Sequence, residues 1–180
     1  IDIPFTVGGG IASLDDAERL LVAGADKISV NSAAVRRPEL IDELAAKYGS
    51  QFVVTAIDAK MDDHGTWHVT THSGSRMTDR ELFAWAHEAQ ERGAGEILFT
   101  SMNHDGTRHG YPCEVFARLS TSLSIPVIAS GGAGSAEDIA QVLTEGHADA
   151  ALAASIFHYG EITIGELKQY LKNKNINVRL

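Results

Sequence analysis

A chain of 180 residues has room for one domain with a sizeable core, and 44% hydrophobic and 7% aromatic content is ordinary for a globular α/β protein. The formal net charge of -9 argues against nucleic acid or an anionic membrane surface as partner. It does not argue against a phosphorylated substrate, because backbone N–H groups can hold phosphate without lysines. Cys113 is the single cysteine, so no intramolecular disulfide can form, in keeping with a reducing cytoplasm. It reads as a small residue at a helix start, since no base motif accompanies it. No apolar run approaches the ~20 residues of a transmembrane helix.

In chain order, residues 4–10 read as a short strand ending in a glycine-rich turn. Ser13 and Asp16 have capping-box spacing, Leu20 and Leu21 continue at helical spacing, and Gly24 ends the helix. Residues 27–32 form the next strand and residues 38–48 an amphipathic helix. Residues 52–60 are apolar and β-branched, too short for a typical buried helix, and carry Asp58 and Lys60 at their C-terminal end. Turn chemistry over 62–65 and β formers over 66–74 predict a small hairpin inserted after this strand. A helix over 79–92, a strand over 96–101 and a loop over 103–107 follow. The remaining expectations are a helix over 112–119, a strand over 126–130, a glycine turn over 131–134, a further helix, a strand over 150–155 and a closing helix near 164–172. That makes six strand–helix units, with strands apolar on both faces as a parallel sheet demands.

The chain repeats itself. Gly9-Gly10, Ser13, Asp16, Leu20-Leu21 and Asp26 match Gly131-Gly132, Ser135, Asp138, Val142-Leu143 and Asp149. The strands that follow end in Asn31-Ser32 and Ala154-Ser155. The copies are four units apart, half a turn of an eightfold barrel, so in such a barrel they would face each other across the top. Each pairs a glycine turn with a small polar strand end, and together they suggest a substrate with a phosphate at each end. Asp58 then falls between two anion sites as a candidate general acid/base; pairing with Lys60 or capping the next turn is the structural alternative. Asp105 is similarly placed, with turn chemistry as its alternative. Ser73 and Thr100 are plausible hydrogen-bond partners for a substrate. His64, His68 and His72 recur at spacing four, but on a turn and hairpin rather than a helix face, so no metal site is expected.

Seven segments in order resemble the cyclase subunit of imidazole glycerol phosphate synthase, of histidine biosynthesis. They are residues 5–11, 25–35, 56–60, 93–98, 105–107, 129–134 and 148–155, and the similarity runs to the Asn-Val-Arg-Leu end. The resemblance implies a TIM (βα)8-barrel and a lyase that needs no cofactor. It takes ammonia from a glutaminase partner, closes the imidazole ring of a bisphosphorylated substrate and releases an aminoimidazole carboxamide ribotide. On the matching positions it implies that Asp58 is an acid/base and that Gly10, Asn31 and Ser32 form one phosphate site. Asp105, Gly106, Gly132, Ala154 and Ser155 would form the other, with Ser73 and Thr100 touching substrate. Lys27 and Glu96 match members of a charged ring gating ammonia, and Asp26 a position facing the glutaminase. The sister isomerase of the pathway shares the barrel and glycine turns but matches less well around residues 56–60 and at the C-terminus.

A full barrel of this kind has eight units in about 250 residues, so the chain reads as one domain, residues 1–180, holding strands three to eight. The roughly 70 residues before them, with the family's other catalytic aspartate, find no counterpart in it. Two expectations follow: impaired turnover by this chain alone, and homo-oligomers formed through exposed sheet edges. The alternatives are a non-catalytic, phosphate-binding barrel fragment and a related phosphosugar isomerase.

Overall fold

The computed structural model describes residues 3–179; Ile1, with which the sequence opens, lies outside them. The described residues fold as α/β in two compact units, divided between Leu98 and Phe99. Among the described residues no helix is long and apolar enough to cross a membrane.

The first unit runs β1 (Thr6–Gly8), α1 (Leu14–Val22), β2 (Lys27–Val30), α2 (Ser32–Arg36), α3 (Glu39–Tyr48), a 3-10 turn (Ser50–Phe52), β3 (Val53–Met61), β4 (Trp67–Thr71), β5 (Arg76–Glu81), α4 (Leu82–Glu91) and the start of β6 (Glu96–Ser101). β1, β2 and β3 are parallel neighbours, with Val7 opposite Ile28 and Ser29 opposite Val54. The Gly95 N–H donates to the Val53 carbonyl (2.9 Å), tying the entry of β6 to β3. Along β3 the odd positions Val53, Thr55, Ile57 and Ala59 are fully buried, packed with Leu40, Ile41, Leu44, Leu82 and Trp85 from the helices into the core. Asp58 therefore points to the other face, because strand side chains alternate.

β3 has the same nine-residue length as the run read over 52–60, displaced by one residue toward Met61. Its end forms one arm of an antiparallel pair with β4, Asp58 opposite Thr70 and Lys60 opposite His68, and β5 pairs with β4 in turn. The connection is built by Asp62, whose Oδ1 accepts the N–H groups of His64 and Thr66 (both 2.9 Å). Those bonds favour the ionised form, the one from Thr66 most, and hold the Asp62 carboxyl below its ordinary value. α4 starts at Leu82 rather than at 79, because residues 76–81 are held in β5. Glu81 then caps the helix by accepting the Ala84 N–H (2.9 Å).

The second unit holds the end of β6, α5 (Cys113–Ser122), β7 (Val127–Ser130), α6 (Ala136–Thr144), β8 (Ala150–Ala151), α7 (Ser155–His158) and α8 (Ile164–Asn173). β7 and β8 are parallel, Ile128 opposite Ala150. The core gathers Phe99, Phe116, Leu119, Val127, Val142 and Ile156, with the Phe99 and Phe116 rings 4.9 Å apart. β8 is shorter than the expected strand over 150–155. After the Leu152 N–H reaches the Ala129 carbonyl (2.7 Å), the chain turns directly into α7.

The sequence repeat is also a repeat of hydrogen bonds. Ser13 and Ser135 each cap their helix by accepting an N–H three residues on, from Asp16 and Asp138, at 3.2 Å. Asp16 and Asp138 reach back to the N–H groups of Ala12 (3.1 Å) and Gly134 (2.9 Å). Asp26 and Asp149 each accept the backbone N–H that starts the preceding strand, from Phe5 and Val127, at 2.8 Å. The two copies differ at the helix end, where Gly24 takes the left-handed conformation (φ 103°) in one and His147 (φ 50°) in the other.

Candidate active site

Beyond β1 the chain passes through Gly9 and Gly10 with φ of 98° and 73°, a path an L side chain rarely follows. Neither glycine has a neighbour within 4 Å of where a Cβ would stand, so this backbone lies open. β2 ends at Val30, and Asn31 (φ -129°, ψ -100°) turns the chain straight into α2, whose first residue is Ser32. From β3 comes Asp58, half-buried, its carbonyl accepting the Thr70 hydroxyl at 3.1 Å. These residues line one cavity of about 370 Å3 together with His72 and Ser73.

Ser73 reaches the cavity through an unusual turn. His72 (φ 54°), Ser73 (φ 55°) and Gly74 (φ 81°) are left-handed in succession, at a cost of about 1 kcal/mol for each non-glycine residue. Four bonds hold the turn among the described residues: the His72 N–H to Ser32 Oγ (3.2 Å), the Ser75 N–H (3.3 Å) and Ser75 Oγ (2.8 Å) to the His72 carbonyl, and His72 Nδ1 with Thr71 Oγ1 (3.1 Å). Ser32 thus accepts from the turn and keeps its own proton to donate. Asn31 Oδ1 is buried in the cavity wall without a hydrogen-bond partner, a cost that a bound polar group would relieve. Open glycine N–H groups and two hydroxyls suit an anion, the orphaned Asn31 Oδ1 suits a hydrogen-bond donor on a bound molecule, and a carboxylate on the same cavity suits proton transfer.

Asp26, Lys27 and Glu96 sit elsewhere in the first unit. Lys27 and Glu96 open their strands, so both lie at N-terminal ends, and the Lys27 ammonium pairs with the Glu96 carboxylate. The pair is largely buried, with 26% and 20% of the two side chains exposed. Asp26 is spent on the Phe5 N–H.

In the second unit, Thr100 is on β6 and the other five candidates lie beyond strand C-termini. Asp105 and Gly106 (φ 75°) are in the loop after β6, where the Asp105 N–H donates to the Ser101 carbonyl (2.8 Å). In the same loop Ser101 Oγ and His104 Nδ1 are 2.8 Å apart, and burial holds the imidazole below its ordinary pKa. Gly132, after β7, accepts the Gly110 N–H at 2.9 Å. Ala154 and Ser155 start α7 after β8.

Among the described residues no three His, Cys, Asp or Glu side chains converge as a metal would require; His68 bonds Asp62 instead (3.0 Å). Of the residues on the cavity, sequence reasoning weighed His72 only as a metal ligand and did not single out Arg36. Arg36 had a signal available, four residues after Ser32 and therefore on the same helix face.

The family model described as "Histidine biosynthesis protein" matches residues 1–163. The chain belongs to this histidine biosynthesis family. The match takes in every candidate residue from Gly10 to Ser155. Three similar members carry the name imidazole glycerol phosphate synthase subunit HisF. That of Bacteroides fragilis (strain YCH46) is 60% identical over 99% of this chain, that of Geobacillus thermodenitrificans 57% over 98%, and that of Flavobacterium psychrophilum 56% over the whole chain. In each case the aligned region is 71% of the relative's length.

Proposed function

We propose that the chain is the cyclase of imidazole glycerol phosphate synthase, an enzyme of histidine biosynthesis, built on a (βα)8-barrel framework and working in the cytoplasm. The observation that carries this is the cavity where Asp58 shares a wall with Gly10, Asn31, Ser32 and Ser73, in a chain 60% identical to a HisF subunit. One substrate phosphate rests on Gly10, Asn31 and Ser32, with N–H and O–H groups donating to its oxygens. The other rests on the second copy of the motif, at Asp105, Gly106, Gly132, Ala154 and Ser155. Ser73 and Thr100 contact the substrate.

With both ends fixed, the reacting carbon and the incoming ammonia are oriented, and most of the entropy of bringing them together is removed on binding. Asp58 then transfers protons at the closing ring, taking one as ammonia adds and returning one as the carboxamide ribotide leaves. Ammonia comes from a glutaminase subunit docked near Asp26, and the Lys27–Glu96 pair controls its entry. The test is turnover by the full-length protein supplied with ammonium salt and the bisphosphorylated formimino-carboxamide substrate. Imidazole glycerol phosphate and the carboxamide ribotide should appear in equal amounts; binding of substrate with no ring closure would contradict the assignment.

A further inference from the structure

α2 is five residues long, and its first and last residues, Ser32 and Arg36, are one turn apart on the same face. Side chains on a helix lean toward its N-terminus, so Arg36 runs back over Ser32 and toward the cavity. Arg36 lines this cavity and also an adjoining one of about 440 Å3 with His72 and Arg76, so its long stem has room on both sides. Its neighbour Arg37 is engaged, with Nη1 2.5 Å from Glu43 Oε1. Among the described residues Arg36 has no ion-pair partner.

The charge balance of the cavity is uneven. Asp58 is the carboxylate on its wall, and the groups facing an anion at Gly10, Asn31 and Ser32 are neutral dipoles. A phosphate dianion there meets a like charge across a small cavity, and the unfavourable energy grows as water is expelled. One cation at the rim offsets it, and a guanidinium can bond two phosphate oxygens at once.

We infer that Arg36 is a substrate-binding residue of this site, its guanidinium closing over the phosphate held by Gly10, Asn31 and Ser32. The assignment rests on that cavity being a phosphate site and adds the charged group that its neutral cradle lacks. Arg36 is exposed, so its contribution is moderate and screened by salt.

The test compares Arg36→Gln, Arg36→Lys and Ser32→Ala with the unsubstituted full-length protein. Calorimetric titration of inorganic phosphate at low and high salt is paired with steady-state kinetics. Arg36→Gln should weaken phosphate binding and raise KM about five- to tenfold at low salt, with kcat within about twofold and the thermal midpoint unchanged. Arg36→Lys should recover part of the affinity, and the difference from the unsubstituted protein should shrink as salt rises. Phosphate affinity and KM unchanged in Arg36→Gln, while Ser32→Ala loses affinity, would overturn the role of Arg36 and leave the cavity as the phosphate site. A fall in kcat and thermal midpoint with KM unchanged would overturn it in favour of a structural role. Failure of the unsubstituted protein to bind phosphate would overturn the cavity reading and this assignment together.

Discussion

Asp58→Asn should lower kcat for ammonia-dependent cyclisation by about 10²- to 10⁴-fold while KM changes little. Asparagine has nearly the same shape, so the half-buried position on β3 accepts it without a void or a clash. The backbone around it is fixed independently of the carboxylate, by the β3–β4 register and by the Thr70 hydroxyl on the Asp58 carbonyl. What the substitution removes is the capacity to accept and return a proton. On the proposed assignment the phosphate contacts are made by other residues, so ground-state binding should survive. Steady-state kinetics in the full-length protein would show it, and an unchanged kcat would mean that Asp58 carries no proton.

Gly132→Ala should destabilise the protein by about 2–4 kcal/mol, lowering the thermal midpoint by on the order of 5–10 °C, and should weaken binding at the second phosphate site. Gly132 has φ of 120°, and an added Cβ would stand 2.1 Å from the Gly110 carbonyl oxygen and 2.7 Å from its carbon. That obstacle is backbone, and it cannot simply step aside. The Gly110 N–H is bonded to the Gly132 carbonyl, and a Cβ at Gly134 would meet the Arg108 carbonyl at 2.2 Å. Gly10→Ala is the matched control. It has a positive φ too, but open space around the missing Cβ, so strain alone applies, at about 1 kcal/mol. Thermal melts of the two variants separate close approach from conformational strain; equal shifts would contradict the account.

The parts of this fold legible in the sequence are those whose causes are local. Ser13 and Ser135 cap helices through N–H groups three residues away, and the glycine turns before them carry their own backbone geometry, so the repeat could be read from residue spacing alone. Strand ends were less legible. β8 stops at Ala151 because Ala129 and α7 decide where the chain leaves the sheet. β3 runs on to Met61 because β4 returns to pair with it. The start of α4 moved for a similar reason, the pairing of β5 competing with a sequence that suits a helix. In the site, Asp58 and Asn31 stood out as polar residues ending apolar strands. Ser73 was a candidate from the sequence, but the left-handed turn through His72 and Ser73 was not legible, because the His72 N–H bond to Ser32 Oγ, 40 residues earlier, is part of what holds it. The Lys27–Glu96 pair, 69 residues apart, became meaningful only through the family resemblance.

The central claim is that each copy of the glycine-turn motif holds one phosphate of the same substrate. Amide chemical shifts of the isotopically labelled full-length protein, followed as a non-reacting bisphosphorylated substrate analogue is added, test it most directly. The account predicts that the amides of Gly10, Asn31 and Ser32 and those of Gly106, Gly132 and Ser155 shift together along one binding curve. A titration in which only one set responds, or in which the two sets saturate at different analogue concentrations, would contradict it.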